Sequence, residues 1–254
     1  MNSFSVATAL VKTLLPTKQT DSDSADFAMR LNSNRELAIR ETPSTYYGMA
    51  EEGSLFLATN PTISTGVTFV TAQTAHSDTA ANFYIYNSEA SGGKNIMPRY
   101  LKMIATAAGT SATVWHYAAI LDSAQRAPTT NNTVAITPVN VNGSVSNAIN
   151  ATVLAQNNAT TSVFPASSAN KRVVARGAIG GLNIVGDTMI ISFGQLFGQT
   201  SALTAAENAT QSGTRVSSAP PVVIPPGSSL VISIWSPSSA AAFNPEFELL
   251  MAVK

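Results

Sequence analysis

From Glu36 onward the chain is written in short blocks of alternating apolar and polar residues, separated by Gly, Pro, Asn and Ser. A repeat of two places alternate side chains on opposite faces and predicts strands. Leu37 and Ile39 alternate with Ala38 and Arg40, and Ser54–Thr59 stops at the turn signal Asn60-Pro61. Further strands are predicted over Gly66–Ala72, Asn82–Asn87, Arg99–Ala107, Ser111–Leu121, Lys171–Ile179, Asp187–Phe193 and Ser229–Trp235. The last strand puts Phe247, Leu249, Met251 and Val253 on one face, with Glu246 and Glu248 opening the other. The three-residue link Ala108-Gly109-Thr110 suits a hairpin between Arg99–Ala107 and Ser111–Leu121. Both faces of the second arm are apolar, as in a central, covered strand. The stretch from Pro220 to Lys254 reads as a final hairpin, with a tight turn at Pro225-Pro226-Gly227. Roughly nine to eleven strands, with no defended helix beyond residue 20, predict an all-β, antiparallel β-sandwich.

Residues 1–35 follow a different rule. Phe4, Leu10, Val11 and Leu14 fall near helical spacing until Pro16 stops the pattern, and a polar run follows. The segment fits a short N-terminal arm that orders against a partner, and equally a helix packed on the domain's own edge. The chain therefore divides into an arm over 1–35 and a sandwich over 36–254. The sandwich carries long insertions at about 123–170 and 196–219. Between Asp122 and Lys171 the only charged residue is Arg126.

Composition narrows the chemistry. Lys plus Arg is 14 and Asp plus Glu is 14, so the formal net charge is zero, and charged residues are 11% of the chain. That is well below the ≈ 25% of ordinary soluble domains, and a neutral, charge-poor surface resists self-association weakly. Such a surface fits coverage by copies or a partner. With no cysteine, thiol catalysis and disulfides are excluded. No apolar run reaches the ~20 residues of a membrane helix, and Ala7–Leu15 does not read as a signal peptide.

The search for a site is short. His76 stands in a polar turn and His116 inside a strand beside Trp115 and Tyr117, where packing is the expected role. Asp21, Asp23 and Asp26 open like a calcium loop, but neither the sixth-position Gly nor the twelfth-position Glu follows. Glu246 and Glu248 share a strand face about 7 Å apart, a spacing open to glycoside hydrolysis, but no aromatic platform is near in sequence. Gly177-x-x-Gly180-Gly181 lacks the Lys and Ser/Thr of a phosphate loop and reads as a turn between strands. Arg172 and Arg176, on one face of a strand, do not make the basic surface that nucleic acid requires. The expectation is no enzyme, no catalytic residue, no cofactor and no metal site.

The segment EEGSLFLATNPTISTGV (Glu51–Val67) and the terminal PPVVIPPGSSLVISIWSPSSAAAFNPEFELLMAV resemble virion proteins of tailed bacteriophages. More narrowly, they resemble the jelly-roll cement or decoration proteins of the head. The resemblance covers roughly 50 residues, departs from the pattern at Ile63, and carries no catalytic position. It implies a homotrimer on the capsid surface, made in the host cytoplasm and stapling joints between major capsid subunits. Phe4, Leu10 and Leu14 are the candidate partner-binding residues. The competing reading is a tail-associated or receptor-binding protein that recognises the host surface.

Overall fold

The computed structural model describes residues 45–67, 73–106, 114–128, 132–146, 148–157, 164–180, 185–194, 214–237 and 244–254. The chain divides after Thr42, and every described residue belongs to the unit Pro43–Lys254. The expected strand at Leu37–Glu41 and the arm residues Phe4, Leu10 and Leu14 lie outside the described residues.

One helix and twelve strands are described: α1 (Thr45–Glu51), β1 (Leu55–Thr59), β2 (Phe83–Asn87), β3 (Ile96–Ala105), β4 (Val114–Asp122), β5 (Thr133–Ile136), β6 (Val139–Asn140), β7 (Ala151–Gln156), β8 (Arg172–Gly180), β9 (Thr188–Phe193), β10 (Thr214–Ala219), β11 (Ser229–Trp235) and β12 (Pro245–Val253). The first sheet runs β10-β9-β3-β12-β1-β6 and the second β5-β7-β2-β11-β4-β8. All pairings are antiparallel except β9 with β10. Within the sheets lie the four-strand orders β1-β12-β3-β9 and β2-β11-β4-β8. The chain changes sheet at each step among these eight strands, save from β4 to β8. That is the double Greek-key arrangement of a jelly roll.

The same arrangement corrects two expected hairpins. β3 pairs with β12 and β9, whereas β4 pairs with β11 and β8. β11 and β12 likewise belong to opposite sheets. Both links cross between layers. Period-two alternation states which face of a strand is buried but not which strand lies beside it, and a short link can turn within a sheet or pass over its edge.

The core lies between the layers. Phe247, Leu249, Met251 and Val253 of β12 face Phe83, Ile85, Tyr117, Leu230 and Ile232 of the second sheet. Phe83 and Phe247 meet edge to face, centroids 5.0 Å apart at 74°. β4 is central, as its two apolar faces predict: Trp115, Tyr117 and Ala119 enter the core, and Ile120 on the other side is also buried.

The polar middle of the chain is more structural than its composition suggests. The 123–170 segment supplies β5 and β7 to the second sheet and β6 to the first, and the 196–219 segment supplies β10. On β10, Arg215 and Ser217 lie opposite core residues Met189 and Ile191. Each has a polar partner: Arg215 Nη1 is 3.8 Å from Asp187 Oδ2, and Ser217 Oγ is 2.6 Å from the Tyr117 hydroxyl across the layers. Polar residues at core positions hide the strand's alternation.

α1, where no helix was expected, packs Met49 and Ala50 over Leu55, Leu250 and Ala252 on the outer face of the first sheet. Seven residues cannot hold a helix alone; this apolar patch does. Of the predicted strand Gly66–Ala72, the described Gly66 and Val67 are not strand. Gly177 stands inside β8 rather than at a turn, Gly180 is the strand's last residue, and Gly181 lies outside the described residues. Gly177 is required because a methyl there would sit 2.7 Å from Cε1 of the buried Tyr117 ring.

Candidate functional site

Four places gather the chain's sparse polar chemistry. The first is centred on Arg126, which lies just past β4 and is 1% exposed. Its Nε donates to the Pro165 carbonyl at 3.0 Å and its Nη2 to the same carbonyl at 2.9 Å and to the carbonyl of Asp78. Asp122 and Asp78 flank the guanidinium at 4.0 and 3.7 Å. Ser168 donates its amide and hydroxyl to Asp122, and Ser167 does the same to Asp78. Lys171 stands 3.8 Å from Asp78. The network ties three loops to the outer face of the second sheet, over a small cluster of Tyr84, Phe164, Ala81 and Val231. The hint in the sequence was the lone charge in a long uncharged stretch.

Burial alone would raise both aspartates. For Asp122 the hydrogen bonds from Ser168 and Ala124 and the charge of Arg126 outweigh it; for Asp78 those from Ser167, with Arg126 and Lys171, do so. Both carboxyls are held below the usual range. A folded-state pKa below the unfolded value gives stability that is complete above the ordinary aspartate range, about 3.9. That stability disappears as pH falls through the lowered value. Thermal melts should therefore show a steep loss below about pH 4. Asp122→Asn should flatten that slope; an unchanged slope would remove the network from the acid transition.

The second place is an open groove of about 300 Å³ on the outer face of the first sheet, lined by Ile63, Lys102, Ile104, Glu246 and Glu248 among others. Here the two glutamates stand as predicted, side by side on β12, and both are engaged. Glu248 accepts from the Tyr100 hydroxyl and lies 3.5 Å from Lys102, and Glu246 accepts from the Ser64 amide. Burial raises the Tyr100 hydroxyl far above its ordinary value, and the hydrogen bond and charge of Glu248 add to the rise.

Beside this groove, the motif Asn60–Gly66 acts as a clamp. Asn60 Oδ1 accepts from the Phe247 amide at 2.9 Å, its Nδ2 donates to the Thr65 carbonyl at 2.7 Å, and Val67 donates to the Pro245 carbonyl at 2.9 Å. Ser64 takes a left-handed φ of 65° to make the turn. A methyl at Gly66 would overlap the Asn244 carbonyl and stand 2.6 Å from Thr106 Oγ1. Gly66→Ala should therefore cost about 1–3 kcal/mol by overpacking, read by urea denaturation; a neutral result would mean the clamp yields.

The third place joins both histidines. His116 stacks on Trp235 at 5.7 Å and His76 meets the same indole edgewise at 5.4 Å. The rings fasten the segment ahead of β2 to β11, where Ser233 Oγ also donates to the Ala80 carbonyl at 3.0 Å. Among the described residues no three His, Asp or Glu side chains come together.

The fourth is the basic pair on β8, whose expected common face is corrected. Ala118 and Ile120 of β4 share the outer face, and they pair with Arg176 and Val173. A bulge at this point inserts Val174 and reverses the alternation. Arg172 pairs instead with Leu121 and turns into a groove at the end of the sandwich, with Ser123, Asn170 and Ser228.

Fold and sites together define a jelly-roll β-sandwich whose described polar clusters fasten its own loops. Comparison with known proteins finds no matching family model, no matching curated protein and no matching solved structure.

Proposed function

We propose that the chain is a structural virion protein, a cement or decoration protein that binds across joints between major capsid subunits as a homotrimer. The observation that carries the reading is the jelly-roll strand order, which the resemblance of the Glu51–Val67 and terminal segments implies. Jelly rolls serve viral shells among other uses, so this step is an analogy of fold. Two features of the chain support it. The segments that carry the resemblance are a clamp and a closing strand rather than a reaction site. The described polar clusters are spent on pinning loops, which leaves a neutral surface suited to covering area. A stable contact needs ~1,600 Å², and repetition around a shell multiplies its effect.

The test is to locate the protein on particles from its native setting, by quantitative mass spectrometry and gold labelling. A fixed ratio to the shell subunit, with label over the head, is expected. Label on the tail would transfer the protein to host recognition, and absence from particles would overturn the reading. Deleting residues 1–20, which include Phe4, Leu10 and Leu14, should abolish shell binding while the circular dichroism spectrum keeps its strand signature. Unchanged binding would remove the arm's role.

A further inference from the structure

We infer that copies of this chain join head to tail, the β8 flank of one copy docking on the α1/β6 flank of the next. The sandwich has two flanks. At one, β8 of the second sheet lies against β10 of the first. At the other, β5 and β6 sit two residues apart in sequence at the corresponding edges of the two sheets. The flanks carry opposite charge. Arg176 and Val173, the latter 59% exposed, lie on the outer face of β8, and Arg172 opens at the strand's end into the groove there; both arginines are exposed and meet no carboxylate among the described residues. On the far flank Glu51 and Glu52, at the end of α1, are exposed and meet no cation among the described residues. Val139 and Val141 there are 56% and 40% exposed. The helix end and β6 form one surface, because Asn142 Nδ2 donates to the Glu51 carbonyl at 3.3 Å and Asn140 Nδ2 to the Gly53 carbonyl at 2.7 Å.

Each flank thus presents valine beside two like charges, and the signs are complementary. Among the described residues eight charged side chains stand in internal ion pairs, and these four do not. Like flanks repel and unlike flanks attract, so the contact is heterologous. Patches on opposite sides of a protomer cannot both be used in a two-fold dimer. The smallest closed assembly is a ring of three. This inference rests on the proposed homotrimer only for its number of copies, and it stands without the shell.

The experiment uses the full chain in light scattering and sedimentation at 0.05 and 0.5 M salt. Wild type should form a ring at low salt that loosens at high salt. R172E/R176E and E51K/E52K should each weaken assembly by about tenfold or more, on the scale of two exposed ion pairs, with unchanged melting temperature. The quadruple variant carries both reversals and should assemble like wild type. Should a reversal lower the melting temperature, R172A/R176A and E51Q/E52Q replace it, with the same loss expected. A wild-type monomer, doubles that stay assembled, or a quadruple that stays dissociated would each overturn the inference. None of these outcomes bears on whether the protein resides on particles.

Discussion

Replacing Arg126 with methionine should lower the unfolding free energy by about 3–5 kcal/mol, the cost of breaking a buried charge cluster from one side. Methionine keeps the aliphatic stem but leaves Asp122, which is fully buried, without its cation, and the Pro165 carbonyl without its two donors. Lysine should not restore the loss, because one ammonium cannot reproduce the planar fork that reaches Pro165 and Asp78 together. Adding Asp122→Asn to the methionine variant should recover part of it, since the stranded charge is removed while the Ala124 amide and the Ser168 hydroxyl, which share Oδ1, can still donate to the amide oxygen. Urea denaturation at pH 7 measures all three. A loss below about 1 kcal/mol for the single variant would mean the loops are held by the Phe164 cluster alone.

Phe247→Ala should be of similar size, about 3–5 kcal/mol, through lost burial and the cavity left behind. The ring is 3% exposed and reaches across the layers to Phe83. Collapse into the space is opposed because the backbone at Phe247 is held on both sides of its peptide. Its amide donates to Asn60 Oδ1 at 2.9 Å and its carbonyl accepts from the Asn60 amide at 3.3 Å. A double-mutant cycle with Phe83→Leu should return a coupling of about 0.5–1.5 kcal/mol for the edge-to-face pair. Additive losses would show that the two rings contribute only buried area.

The candidate sites were legible in uneven degree. Glu246 and Glu248 could be placed on one face from spacing alone, but their engagement by Ser64, Tyr100 and Lys102 depends on strands and loops far away in the chain. His76 and His116 carry no sign in sequence that they share Trp235, because contact between a loop, β4 and β11 arises only on folding. Arg172 and Arg176 were assigned to one face by counting in twos, and one inserted residue at Val174 defeats such a count. β10 was passed over because Arg215 and Ser217 occupy core positions, and only Asp187 and Tyr117 make them tolerable there.

By itself the amino-acid order determined the strand composition, the buried face of β12, the covered character of β4 and the turn at Pro225–Gly227, where Gly227 takes the φ of 77° that its position requires. These are local consequences of side-chain alternation and backbone freedom. Tertiary structure alone decided which strands became neighbours, sent β3 to β4 and β11 to β12 across the layers, and folded α1 onto an apolar patch. It also set basic and acidic groups on opposite flanks. Pairing partners are chosen by the packing of two whole sheets against one core, and no window of neighbouring residues contains that choice.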